Sequence, residues 1–333
     1  MGIFWASVVT FLTSAIKFST VFIFGSTGEI VNQKSGHLNM ATPGIMFLGA
    51  FGGIIGEIVY IAMCGGAGHF NSFLVVLFPI IFGFIFAAIG GAIFSFFTVT
   101  LHCNQNVVGL TLTTLFVGLS QLAMTMIVPT DLDAQRVFNA NFSEAGQLTQ
   151  YAFPSLSNTI ILAQSWFTYI AIAVAVIVAI VLKKTRVGLN LRAVGENAAA
   201  ADSAGIRVNK YRYLSTIIGS GIVGLGGAFI ELDQHMGTFN ASADNVDAYG
   251  WIALCIVIFS LWKPLLAIAA SLFFASLSIL PSYIKGVGST MSYVIDMAPY
   301  IATIIILVIL SIFNGKKNQP PANLGQSYFR EDR

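Results

Sequence analysis

Apolar residues run along this chain in long blocks, and polar residues gather in the gaps. Nine blocks can be marked: 3–25, 41–63, 71–97, 105–127, 160–182, 211–232, 247–261, 264–281 and 293–313. Most reach or approach the roughly 20 residues a helix needs to cross a hydrocarbon layer. The seventh is short and sits between Asp247 and Lys263–Pro264. It is expected to be a half-helix or a re-entrant segment. The first block has no basic start and no small-residue cleavage site, so it reads as a retained span rather than a signal peptide. The pattern predicts an all-α polytopic membrane protein with about nine membrane segments.

The gaps give an orientation. The richest is 183–212, KKTRVGLNLRAVGENAAAADSAGIRVNKYR, which holds Lys183, Lys184, Arg186, Arg192, Arg207, Lys210 and Arg212. Basic residues collect on the cytoplasmic side of a membrane protein. If this gap is inside, alternation also brings Lys34, Lys263, Lys316, Lys317, Arg330 and Arg333 inside, and puts only Arg136 and Lys285 outside. The acidic Asp131, Asp133, Glu144, Glu231, Asp233, Asp244, Asp247 and Asp296 then fall outside. The expected topology is N-terminus out and C-terminus in. Residues 1–313 read as one transmembrane domain with an external loop at 128–158. Residues 314–333, with Pro320–Pro321, read as a mobile cytoplasmic tail.

Composition narrows the function. The 333 residues are 56% hydrophobic and 9% charged, against about 25% charged in soluble domains. The 32 glycines suit close helix contact, because lipid gives apolar helices no drive to associate and small residues let backbones approach. A net charge of +2 gives no support to nucleic-acid binding. Cys64, Cys103 and Cys255 are scattered, and His69, His102 and His235 have no ligand spacing, so no metal site is expected. Asp131 and Asp133 have no partner arrangement for acid–base work. Lys17 and Glu57 lie within apolar blocks. They read as a structural pair, a snorkelling lysine, or a gate.

Two stretches share a character. Residues 25–53 and 237–260 each leave an apolar segment, pass through a loop rich in Gly, Asn and small residues, and enter the next segment at a glycine. In the expected topology they lie on opposite sides. They are read as inverted repeats with broken helices, a plan that puts polar backbone beside a cavity near the midplane.

At this point the residues resemble a known family. The stretches GEIVNQKSGHLNMATPGIMFLGAFGG at 28–53, GLNLRAVGENAAAADSAGIRVNKYRYL at 188–214 and GWIALCIVIFSLWKPLLAIAASLFF at 250–274 are similar to permease subunits of ATP-binding cassette importers. The similar branch holds the ribose and purine-nucleoside permeases, and it runs along essentially the whole chain. Met40, Ala41, Ser260 and Lys263 depart from the branch's usual Gly, Gly, Gly and Asn, which bears on substrate choice more than on transport.

The resemblance implies a non-enzymatic subunit of a bacterial plasma-membrane importer for nucleosides. A ribose or other sugar permease is the alternative. An ion-coupled secondary transporter is an alternative of another class. The resemblance also implies that Leu191–Ala204 is a coupling helix, with Arg192, Gly195, Glu196, Asn197, Ala201, Asp202, Gly205 and Ile206 facing the ATPase. The residues agree locally: Ala198–Ala201 favour helix, Asn197 can cap it and Gly205 can end it. Candidates for the substrate path are Asn39, Pro43, Met46, Phe47, Asn104, Asn245, Tyr249 and Trp251. The chain has no G-x-x-x-x-G-K-[ST] loop, so no cofactor is expected on it, and ATP with Mg is expected on a partner. Expected partners are a cytoplasmic ATPase, a second and different permease, an extracytoplasmic binding lipoprotein, the nucleoside and membrane lipid, and no nucleic acid.

Overall fold

A computed structural model describes residues 2–65, 70–127, 136–138, 140–142, 164–234, 246–284, 291, 294–295, 297–313 and 319–329. Among these residues the chain is helical and has no strand. The helices are α1 (Gly2–Lys34), α2 (Thr42–Cys64), α3 (Ser72–Ser95), α4 (Gln105–Met126), α5 (Trp166–Lys184), α6 (Arg186–Glu196), α7 (Ala198–Ser203), α8 (Val208–Phe229), α9 (Val246–Phe259), α10 (Pro264–Tyr283) and α11 (Ala298–Phe313). Two helices run on into π turns, α3 into Phe96–Thr100 and α8 into Ile230–Gln234.

Each of the nine apolar blocks carries a helix. Among the described residues seven are long and apolar enough to cross a membrane: α1 from Ser7 onward, α2, α3 with its π turn, α4, α5, α8 with part of its π turn, and α10. The apolar parts of α9 and α11 are shorter. Local signals set several boundaries. Asn71 and Asn104 cap α3 and α4 by accepting backbone N–H groups, and prolines occupy the first turns of α2 and α10.

The core is α1, α2 and α8, with α3 and α10 packed on the outside. Glycine makes this possible. A Cβ at Gly28 would meet the Gly219 carbonyl, one at Gly49 would meet Gly224, and one at Gly227 would meet the Met46 carbonyl. Backbone therefore lies directly on backbone at the points where α1, α2 and α8 meet.

The contacts also repeat. α1 packs on α8, α9 and α10, while α8 packs on α1, α2 and α3. Exchanging α1, α2 and α3 for α8, α9 and α10 reproduces the same neighbours. Two helices long and apolar enough to cross a membrane, α4 and α5, lie between the two units, so strict alternation runs the second unit opposite to the first. The second loop of the expected repeat, 235–245, lies outside the described residues.

Three expectations change. The first apolar block was expected to end near Gly25, but α1 continues to Lys34. Burial overrides the turn-like GSTG: Ser26 turns its hydroxyl back to the Phe22 carbonyl, and Gly28 seats against α8. Leu191–Ala204 was expected to be one helix. It is two, because Asn197 is extended (φ −151°, ψ 99°) and caps α7 by accepting from the Ala200 N–H. The segment expected to be mobile is ordered over 319–329, where it packs on the rest of the chain.

Candidate functional site

The functional candidates cluster at the end of the bundle that carries Lys34, α6, α7 and Lys263, here termed the basic end. The last turns of α1 place Glu29, Asn32 and Gln33 on one helix face, since positions three and four apart are neighbours. The Glu29 carboxylate accepts from Asn32 Nδ2 at 2.8 Å and from Gln33 Nε2 at 3.0 Å. It also accepts from the Thr42 hydroxyl at 2.8 Å. Trp262, just before α10, donates its indole N–H to Gln33 Oε1 at 2.6 Å. These side chains are buried. A buried carboxylate requires such donors, because its desolvation is otherwise uncompensated.

The α1–α2 loop, 35–41, is stitched into this end. His37 Nδ1 lies 2.9 Å from the Thr216 hydroxyl, and the Leu38 N–H donates to Gln105 Oε1 at 2.8 Å. Thr113 donates to the Met40 carbonyl at 3.0 Å. His37 is fully buried, and burial together with the nearby Arg212 guanidinium pushes its imidazole down to about 3. It is held neutral.

The eight coupling candidates divide by exposure. Arg192, Glu196, Asn197 and Gly205 are exposed. Gly195 is buried, and a Cβ there would collide with the Lys34 carbonyl. Ala201 is buried in a small cluster with Val194, Ala198 and Val208, flanked by Ile206 and Tyr328. Asp202 accepts from the Tyr328 hydroxyl at 2.9 Å. Gly205 has φ +83°, the left-handed conformation that ends α7 and favours glycine. The alanines of α7 thus seat partly on this chain's own core, and Arg192, Glu196, Asn197 and Gly205 form an exposed edge.

Two cavities open at the basic end. One of about 670 Å³ is lined by Lys34, Arg192, Glu196, Trp262, Lys263 and Gln319, among others. The other, about 560 Å³, lies between α7 and 319–329 and is lined by His102, Asp202, Arg207, Asn209, Tyr328 and Phe329 with Val208.

The substrate-path candidates are partly brought together. Pro43 and Gly250 touch, so the first turn of α2 meets α9 (a Cβ at Gly250 would run into Pro43). Asn39 is buried and accepts from the Ala41 N–H, with Ser220 at 3.5 Å. Met46 and Phe47 are fully buried in helix packing. Tyr249 stands edge-on to Phe18 and Phe22, and Trp251 beside it is half-buried. Asn104 is an exposed helix cap at the basic end, next to Gln105, which accepts from the Leu38 N–H beside Asn39. Asn245 lies outside the described residues, as do His69 and His235.

Lys17 does not take Glu57 as its ion-pair partner. Its ammonium lies 2.8 Å from the Asp233 carboxylate on the α8 π turn. The sequence reading missed Glu29, Gln33 and Trp262. The signal was available in the E-x-x-N-Q spacing, which becomes one polar face as soon as α1 is extended through it.

Comparison with known proteins decides the class. The family described as "Branched-chain amino acid transport system / permease component" matches residues 10–313. The chain belongs to this family. It is therefore a transport component and a multi-pass protein of the cell membrane. Among curated relatives, the nucleoside ABC transporter permease protein NupC of Lactococcus lactis is 32% identical over 96% of both chains. The guanosine ABC transporter permease protein NupQ of Bacillus subtilis is 28% identical over 96% of both. A chain named for glucose ABC transport, TsgC13 of Haloferax volcanii, is 27% identical over 76% of this chain and 71% of its own length. No solved structure matches.

Proposed function

We propose that this permease takes up nucleosides, with ATP and Mg bound by a separate cytoplasmic ATPase that docks on α6 and α7. The observation that carries the substrate is the end-to-end likeness to NupC, a nucleoside permease over 96% of both chains. The docking assignment is supported by the exposed edge formed by Arg192, Glu196, Asn197 and Gly205 at the most basic gap in the chain. In this reading the basic end faces the cytoplasm. A second permease completes the membrane unit, and a binding lipoprotein delivers substrate on the other side. The contact of Pro43 with Gly250 marks where the two repeat units meet, and the substrate path is placed beside it, near Tyr249 and Trp251.

The test is uptake by proteoliposomes holding the purified complex. ATP-dependent accumulation of labelled nucleosides, competed poorly by ribose or glucose, is the expected result. R192A should leave the fold intact and lower substrate-stimulated ATP hydrolysis, because its side chain is exposed. Preferential uptake of a sugar would transfer the assignment to the glucose-type relatives. Uptake by this chain alone, driven by an ion gradient without ATPase, would overturn the reading.

A further inference from the structure

Residues 319–329 form a strap across the basic end, and their bonds go to five separate parts of the chain. The Asn323 N–H donates to the Gly195 carbonyl at 2.9 Å, and the Ala322 N–H reaches Glu196 Oε2 at 3.3 Å, both on α6. The Gly325 N–H donates to the Gly36 carbonyl in the α1–α2 loop at 3.1 Å. Arg212 of α8, a fully buried guanidinium, donates from Nη1 to the Gln326 carbonyl at 3.0 Å. Tyr328 donates its hydroxyl to Asp202 of α7, and its carbonyl lies 3.1 Å from His102 Nε2 in the α3–α4 loop. Phe329 stacks on the His102 ring at 4.7 Å.

Gly325 makes the path possible. Its φ of +78° is a left-handed turn that L side chains rarely adopt. With it, the strap turns from the α1–α2 loop toward Arg212 and α7.

We infer that the strap is a positioning element of the coupling apparatus, binding α6, α7, the α1–α2 loop and the α3–α4 loop into one body. A displacement of α6 and α7 by the ATPase then reaches His37–Met40 and Asn104, at the inner ends of α2 and α4, in the same step. α6 also touches the α1–α2 loop directly, where Gly195 lies against Lys34 and Gly36, and the strap adds a path from α7 to the α3–α4 loop through Tyr328 and Phe329. The inference rests on the ATPase-docking reading above. Tyr328 is the positioning side chain, since most of the strap's other bonds use backbone groups.

The experiment uses the full complex in proteoliposomes. Y328F keeps the ring and removes the donor to Asp202. In Y328F, nucleoside taken up per ATP hydrolysed should fall about fivefold, the scale set by one lost hydrogen bond, with ATP hydrolysis retained. A Y328F complex with the wild-type ratio would overturn the inference. A second arm bridges D202C to Y328C with a short bis-maleimide in a C64A/C103A/C255A background. Transport after bridging should equal that of the same double-cysteine complex before bridging if the parts move as one body. Transport abolished by the bridge would mean that the strap must release, and would also overturn it. A third readout needs no transport. ATPase binding should change amide exchange at residues 101–104, which the strap reaches through Tyr328 and Phe329, in the wild type and not in Y328F; the same change in both overturns the inference. A wild-type complex that hydrolyses ATP and moves no nucleoside would instead contradict the functional reading, and the exchange arm would still decide on the strap.

Discussion

The Lys17 ammonium lies 2.8 Å from the Asp233 carboxylate, and the pair ties α1 to the π turn that follows α8. The two partners differ in exposure, 39% for Lys17 and 11% for Asp233. Removing the lysine alone strips the cation from the more buried carboxylate. K17A is therefore expected to destabilise more than K17A/D233N. Solvent still reaches Lys17, so the coupling between the two should be about 1 kcal/mol or less. Thermal unfolding of K17A, D233N and K17A/D233N in detergent measures the coupling, and strictly additive losses would show that the pair contributes nothing.

Gly49 and Gly118 make a matched pair of tests. A Cβ at Gly49 would strike the Gly224 backbone, which cannot move aside as a flexible side chain can. G49A should cost about 1–3 kcal/mol or more from overpacking. A Cβ at Gly118, on α4, meets nothing within 4 Å. G118A should be neutral or gain up to about 1 kcal/mol from helix propensity. Melting temperature and monodisperse yield should separate the two variants. Similar losses in both would contradict the backbone-on-backbone core.

His37 gives a pH dependence whose sign follows from its burial. The unfolded imidazole takes a proton near 6.5, whereas the folded one is held down to about 3. Between those values the unfolded chain binds more protons. The stability from a neutral His37 is complete above about 6.5 and is lost as pH falls toward 3, at up to about 1.4 kcal/mol per pH unit. The melting temperature should drop more between about pH 7 and pH 5 in the wild type than in H37N. Parallel curves for the two would remove His37 as the cause.

The parts of the fold that depend on side-chain pattern were legible in the sequence. The nine apolar blocks locate the helices, and Asn197 and Gly205 mark both ends of α7 because capping acts within a few residues. What escaped depends on distant partners. Gly25–Gly28 reads as a turn until α8 is placed against it. Lys17 finds Asp233 rather than Glu57 because helix packing, not sequence distance, sets its neighbours. The strap was hidden for a different reason. Most of its bonds are made by main-chain groups at Asn323, Gly325 and Gln326, and main-chain groups leave no trace in composition. Among the coupling candidates, residue type could mark the segment but not its inner and outer faces, so Gly195 and Ala201 could not be told from Arg192 and Glu196.

The length of α1 bears on how the molecule sits in lipid. Its 33 residues span roughly 50 Å, against about 30 Å for a bilayer core. A rod that long must lean or protrude. The glycine contacts with α8 hold its angle within the protein, so a thinner or thicker bilayer has little purchase on it. The surrounding lipid must therefore deform to meet the protein, and membrane thickness becomes a setting the permease imposes on its neighbourhood.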